Sequence, residues 1–160
     1  MSQEELRLEY LWIVVVVSML SAFIVSLVYV GIAKGFWTPE EVVTCDVKRL
    51  DEFIKPSVKE LEPGVYEVNI VARRWFFDPG TAQPIVLENP KKIIFRITSA
   101  DYIHGFEIVG TPVNVMVFPG YIAEVEWIPP KNLKGEFLIL CNEYCGVGHS
   151  NMKGLLIIER

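Results

Sequence analysis

Two cysteines, a histidine and a methionine fall within twelve residues of one another in the run Cys141-Asn-Glu-Tyr-Cys145-Gly-Val-Gly-His149-Ser-Asn-Met152. Thiolate, imidazole and thioether are soft donors, suited to copper or zinc. The chain has only 2 histidines, and the other, His104, opens the alternating stretch His104–Val109. There it shares a face with Phe106 and Ile108. A lone histidine on such a face is ordinarily a hydrogen-bonded core residue. With its one counterpart inside a thiol cluster, it reads as a second imidazole ligand.

Several ions suit parts of this set. Zinc would take Cys₂His₂ tetrahedrally and without redox chemistry, but it has no use for Met152, and the C-x-x-x-C-x-x-x-H spacing is unlike paired zinc knuckles. A mononuclear blue-copper site uses His₂Cys with a weak axial Met, which leaves one cysteine over. A Cys141–Cys145 disulfide would leave His149 and Met152 without a role. The reading that employs every donor is a dinuclear copper centre. Both sulfurs bridge the metals, each metal takes one histidine, Met152 is a weak axial donor, and a main-chain carbonyl of the loop is the other. Gly146 and Gly148 suit a loop folded tightly around metal.

Such a loop needs a rigid support, and the preceding chain reads as strands. From Tyr66 the period is two: Tyr66, Val68, Ile70 and Ala72 alternate with Glu67, Asn69 and Arg73. Further strands are expected at Ile85–Leu87, Lys92–Thr98, His104–Val109, Val113–Phe118, Ile122–Ile128, Glu136–Leu140 and Leu155–Glu159. Turn signals such as Asp78-Pro79-Gly80, Gly110-Thr111-Pro112 and Phe118-Pro119-Gly120 separate them. Short strands at this spacing predict an antiparallel sandwich or Greek-key barrel, and no helical periodicity supports a parallel α/β sheet.

The apolar excess, 51% of 160 residues, has a separate source. From Tyr10 to Ala33 no residue is charged, a run long enough to cross a hydrocarbon core of about 30 Å as a helix. Tyr10, Trp12, Tyr29, Phe36 and Trp37 lie toward or beyond its ends, as interfacial aromatics do. The residues before it are net acidic, unlike a signal peptide, so an uncleaved anchor is expected. It holds no ionisable residue and cannot by itself carry protons. The expected layout is a tail at 1–9, an anchor at 10–33, a connector at 34–63 with a short helix within Val47–Leu61, and a β-domain at 64–160. The net charge of −5 leaves no basic stripe for nucleic acid.

Taken whole, Cys141-x-Glu143-x-Cys145-x-x-x-His149-x-x-Met152, with His104 in Asp-Tyr-Ile-His-Gly-Phe, resembles the CuA domain of cytochrome c oxidase subunit II, over about Tyr66–Arg160. The resemblance implies a mainly β, cupredoxin-like Greek-key barrel with one N-terminal transmembrane helix. It implies that His104, Cys141, Cys145, His149 and Met152 bind two copper ions through side chains and Glu143 through its main-chain carbonyl. It further implies reduced cytochrome c as donor and heme in subunit I as acceptor, where oxygen is reduced and protons are translocated. The domain would lie outside the cytoplasmic membrane.

The single span is similar to B-type heme–copper oxidases, which implies a separate one-helix subunit. In A-type relatives a glutamate at the position of Glu143 also reaches Mg²⁺ at the subunit I interface; a plain interface carboxylate is the alternative. Trp75-Phe76-Phe77 resembles an aromatic electron-entry cluster, or else packs the rim. Cys45 reads as a lone thiol. The competing functions are a membrane-anchored copper-binding or copper-delivery protein outside an oxidase, and a zinc-stabilised structural module.

Overall fold

The computed structural model describes residues 2–34 and 43–160 in two compact units. Phe36, Trp37 and the Thr38–Glu41 step of the expected connector lie outside the described residues.

The first unit is one helix, α1, Gln3–Lys34. Ser2 caps it: its hydroxyl accepts the Glu5 N–H, and the Glu5 carboxylate accepts the Ser2 N–H, a reciprocal box that satisfies two end donors. The helix therefore starts a full two turns before the uncharged run. Within its stretch Gln3–Ala33 an 18-residue window reaches a mean hydropathy of 2.7, and the helix is long and apolar enough to cross a membrane. Ser18 returns its hydroxyl to the Val14 carbonyl at 2.7 Å, so the polar group carries its own partner.

The second unit is built of ten strands: β1 Val58–Glu62, β2 Val65–Arg73, β3 Phe76–Asp78, β4 Ile85–Glu88, β5 Lys92–Ser99, β6 His104–Ile108, β7 Asn114–Val117, β8 Ala123–Trp127, β9 Gly135–Leu140 and β10 Lys153–Glu159. They form two five-stranded sheets. One runs β1-β2-β5-β8 with β3 on β2, the other β4-β10-β9-β6-β7. All the predicted strands are present to within two residues at each end. The expectation of a wholly antiparallel arrangement is corrected, because β2 and β5 pair in parallel, as do β4 and β10. Between β2 and β5 the chain visits the other sheet as β4, which supplies the long crossover that a parallel pair requires.

The inner faces make one core. Val68, Ile70 and Ala72 of β2 face Phe95 and Ile97 of β5, Phe106 and Ile108 of β6, Ile139 of β9 and Leu156 of β10, all fully buried. Phe106 is central, with Phe77 edge-on at 5.5 Å and Phe95 tilted at 5.8 Å between ring centroids.

The outer face of β2 departs from strict alternation, since Asn69 and Val71 are buried as well. The stretch expected as connector packs there. A 3-10 turn Val47–Arg49 and a single helical turn Leu50–Phe53 carry the buried Leu50. The Asn69 N–H bonds the Ser57 carbonyl at 2.8 Å, its side-chain amide bonds the Pro56 carbonyl at 3.3 Å, and Arg96 sits over the Phe53 ring. The expected short helix is confined to residues before Pro56, and Val58–Glu62 is strand β1 paired with β2. Described residues 43–62, expected as connector, thus pack on or pair with the β unit: an isolated reading of the charged residues Lys59, Glu60 and Glu62 misses that one edge strand can be almost wholly exposed.

Candidate metal centre

The donors converge at one end of the second unit. β6 begins with His104, whose side chain is completely buried on the core face. β9 ends at Leu140 and β10 starts at Lys153, so Cys141 to Met152 form the loop between two adjacent antiparallel strands. The Cys141 N–H bonds the Met152 carbonyl at 3.3 Å and closes the loop at its base. A 3-10 turn, His149–Asn151, follows Gly148 and aims His149 back toward Cys145.

Within this frame the Cys141 and Cys145 sulfurs are 3.7 Å apart. Cys141 Sγ lies 3.8 Å from His104 Nδ1 and 3.2 Å from the Glu143 carbonyl oxygen. Cys145 Sγ lies 3.6 Å from His149 Nδ1 and 3.8 Å from Met152 Sδ. First-row metals bond nitrogen at about 2.0 Å and sulfur at about 2.3 Å, so one ion can touch two donors separated by less than about 4 Å. Each sulfur thus has one imidazole and one weak donor within bridging range, and the donor set fits copper. Both cysteines are free thiols. His104, Cys141 and Cys145 form a buried cluster with ligand atoms within 4.8 Å of one another.

Burial, and then the neighbouring Cys141, push the Cys145 thiol up to about 12. The Cys145 thiol so placed resists ionisation unless a cation joins it. All six candidate ligands are brought together. Cys45 is not in the cluster: it lies in the stretch packed outside the first sheet, its N–H bonded to the Gly120 carbonyl.

Three further residues surround the donors, of which Asp101 and Asn142 had no assigned role at the level of sequence. Asp101 is the first. Its Oδ1 receives His104 Nε2 at 2.8 Å and the Tyr102 N–H at 2.7 Å, and its Oδ2 receives the Arg74 N–H at 2.8 Å. Burial works to raise the Asp101 carboxyl pKa, but the bonds from His104, Arg74 and Tyr102 outweigh it and hold it below its ordinary value. The bond at Nε2 leaves Nδ1 free for metal, the usual outer-carboxylate arrangement. The D-x-x-H spacing was the available signal.

Trp75 is the second. Its indole N–H donates to the Cys145 carbonyl at 3.3 Å, and its ring covers Gly146 and Gly148. A Cβ on Gly148 would meet it at 2.3 Å, and Gly146 has a φ of +114°. The aromatic triplet is divided: Phe77 is core, while Trp75 and Phe76 are each 38% exposed. Beside Trp75 a cavity of about 360 Å³ is lined by Arg74, Tyr102, Tyr144 and Val147, together with Cys145 and Gly146. Asn142, the third, bonds Glu107 and Asn114.

Comparison with known proteins places the chain in a family. The family model "Cytochrome C oxidase subunit II, periplasmic domain" matches residues 35–159. A cytochrome c oxidase subunit 2 of Thermus thermophilus is 38% identical over 103 residues, covering 64% of this chain and 73% of the relative. A heme-copper oxidase subunit 2 of Aeropyrum pernix is 33% identical over 79 residues, covering 49% of this chain and 33% of that one. Among solved structures, a chain of a heme-copper terminal oxidase dimer superposes with a TM-score of 0.66 at 26% identity, covering 94% of this chain and 99% of its own. The periplasmic domain of cytochrome oxidase subunit II from Bradyrhizobium japonicum, at 21% identity, shares the fold with a TM-score of 0.51, over 57% of this chain and 82% of that one.

Proposed function

Because the chain belongs to the cytochrome c oxidase subunit II family, we propose that it is the electron-entry subunit of a membrane-bound heme–copper oxidase of the B type. The observation that carries this is the pair of buried thiols 3.7 Å apart, each with an imidazole Nδ1 within 3.8 Å. His104, Cys141, Cys145, His149 and Met152 hold a dinuclear copper centre through side chains, with Glu143 contributing its carbonyl oxygen. Bound there, two copper ions would supply reversible one-electron chemistry; on this reading reduced cytochrome c is the donor and heme in subunit I, where oxygen is reduced and protons are translocated, is the acceptor.

The residues of this chain do the rest. Cys141 and Cys145 give up their protons on loading. Burial of His104 and Met152 keeps water out of the site. Asp101 holds the His104 ring in one tautomer, and the sheets keep the donors from moving as charge changes, which favours fast transfer. Trp75, bonded to the Cys145 carbonyl and half-open to solvent, is the entry point for the electron. Helix α1 anchors the chain in the cytoplasmic membrane as a single pass with the β unit on the outer side, and a separate one-helix subunit supplies the second span. With no ionisable residue between Tyr10 and Ala33, α1 supplies no proton path. The Glu143 carboxylate, which the copper set does not use, is left either for Mg²⁺ at the subunit I interface or as a plain interface carboxylate.

Copper analysis with EPR of the full chain in detergent tests the reading. Two copper ions per chain sharing one unpaired electron are expected, and Cys141→Ser should lose the pair and its mixed-valence absorption while the β unit stays folded. One reversible copper would turn the assignment to a copper-delivery protein, and zinc to a structural module. Either result overturns it.

A further inference from the structure

We propose that Asn142 is a positioning residue for the metal centre, its amide tying the loop to the strand pair that carries His104 from the slot left open by Gly105; this rests on the copper reading above.

The main-chain ladder stops where the metal loop begins. β6 and β9 pair at Ile108–Ile139 and Glu107–Leu140 and no further, although β6 continues against β7 as far as His104. Extending the β6–β9 register by two residues sets Asn142 opposite Gly105. At that point the loop crosses so close that a Cβ on Gly105 would lie 1.7 Å from Asn142 Oδ1 and 2.8 Å from its backbone nitrogen. Only a residue without a side chain admits this approach.

The Asn142 side chain replaces the missing rungs. Its Nδ2 donates to Glu107 Oε2 at 3.2 Å and to Asn114 Oδ1 at 3.0 Å. Glu107 and Asn114 are themselves a cross-strand pair of β6 and β7. One amide thus joins three elements: the loop, the strand bearing His104, and the strand beyond it. Asn142 is flanked by Cys141 and Glu143, while Gly105 adjoins His104. The brace therefore sets the separation between the His104 imidazole and the Cys141 sulfur, now 3.8 Å. Apart from the Cys141–His104 contact itself, no other side-chain hydrogen bond among the described residues links this loop to β6 or β7.

The test uses the full chain in detergent, loaded with copper, and follows copper release to a chelator together with the EPR hyperfine splitting. Asn142→Ala should release copper about tenfold faster, in the range of outer partners of metal ligands, and change the splitting, while the metal-free melting temperature stays within about 2 °C. Asn142→Asp keeps the shape but has no donor and faces the Glu107 carboxylate, so it should behave like Asn142→Ala. Adding Glu107→Gln restores a donor across the gap and should bring release back to within about threefold of the parent. Gly105→Ala, which expels the amide, should speed release by at least as much, and Asn142→Ala on top of it should add little. Parent-like release and splitting in Asn142→Ala, or failure of Glu107→Gln to rescue Asn142→Asp, overturns the brace alone. If the parent itself does not load two copper ions, the metal-centre reading fails and this one with it.

Discussion

Gly148→Ala isolates the contact between Trp75 and the metal loop. Gly148 has φ −89° and ψ 8°, which alanine adopts without strain, so the added methyl acts through space alone. It would lie 2.3 Å from Cδ2, 2.5 Å from Cε3 and 2.7 Å from Cγ of Trp75. Ordinary carbon contacts are about 3.5–4.0 Å, so the indole must retreat by more than about 1 Å. Its bond to the Cys145 carbonyl, already 3.3 Å, does not survive that. Overpacking costs about 1–3 kcal/mol and the lost bond about 1 kcal/mol. Against this, alanine restricts the unfolded chain by up to about 1 kcal/mol, which leaves a net loss of about 1–3 kcal/mol. In a unit of about 120 residues that lowers Tm by roughly 4–12 °C. Thermal and urea unfolding of the metal-free chain, read by far-UV circular dichroism, gives the number, and the double variant with Trp75→Ala gives its cause. With the indole gone, Gly148→Ala should cost less than about 0.5 kcal/mol. An unchanged Tm in the single variant, or the same loss in the Trp75→Ala background, refutes the packing of Trp75 on the loop.

Leu50→Ala tests where the β unit begins: a buried leucine on a structural segment should cost about 2–4 kcal/mol in urea unfolding, whereas a leucine in a loose connector would cost nothing measurable. Asp101→Asn should destabilise the metal-free chain at neutral pH. The sign follows from the lowered pKa of Asp101: its contribution is complete above the ordinary carboxyl value near pH 4 and declines as pH falls through the folded value. The stability gap between parent and variant should therefore close on acidification, and a gap that widened instead would contradict the bonds drawn to His104, Arg74 and Tyr102.

Most of the site was legible because its chemistry is local. Four side-chain donors lie between Cys141 and Met152, and His104 is marked out by being one of only two histidines. The strands were legible where one face is buried and the other wet, as in β5. Legibility failed where a third layer intervened. Val71 and Asn69 point outward yet are buried, and nothing in their own spacing announces that residues 43–57 fold back over them. β1 escaped notice because an edge strand of Lys59, Glu60, Leu61 and Glu62 is exposed on nearly every side and lacks alternation. Parallel pairing of β2 with β5 depends on where β4 goes, which is a long-range matter. Asp101 and Asn142 act through a few specific long-range hydrogen bonds, and composition has no means of revealing those.

The position of β10 bears on how the protein is made. Of the ten strands it leaves the ribosome last, yet it lies inside its sheet, between β4 and β9. Until it docks, β4 has no partner strand and the base of the donor loop is open, so the second sheet is completed only after β10 has been made. A metal entering the donor loop would thus meet a closed loop base only once β10 has docked, and a chain interrupted within β10 would lack both that closure and the partner of β4.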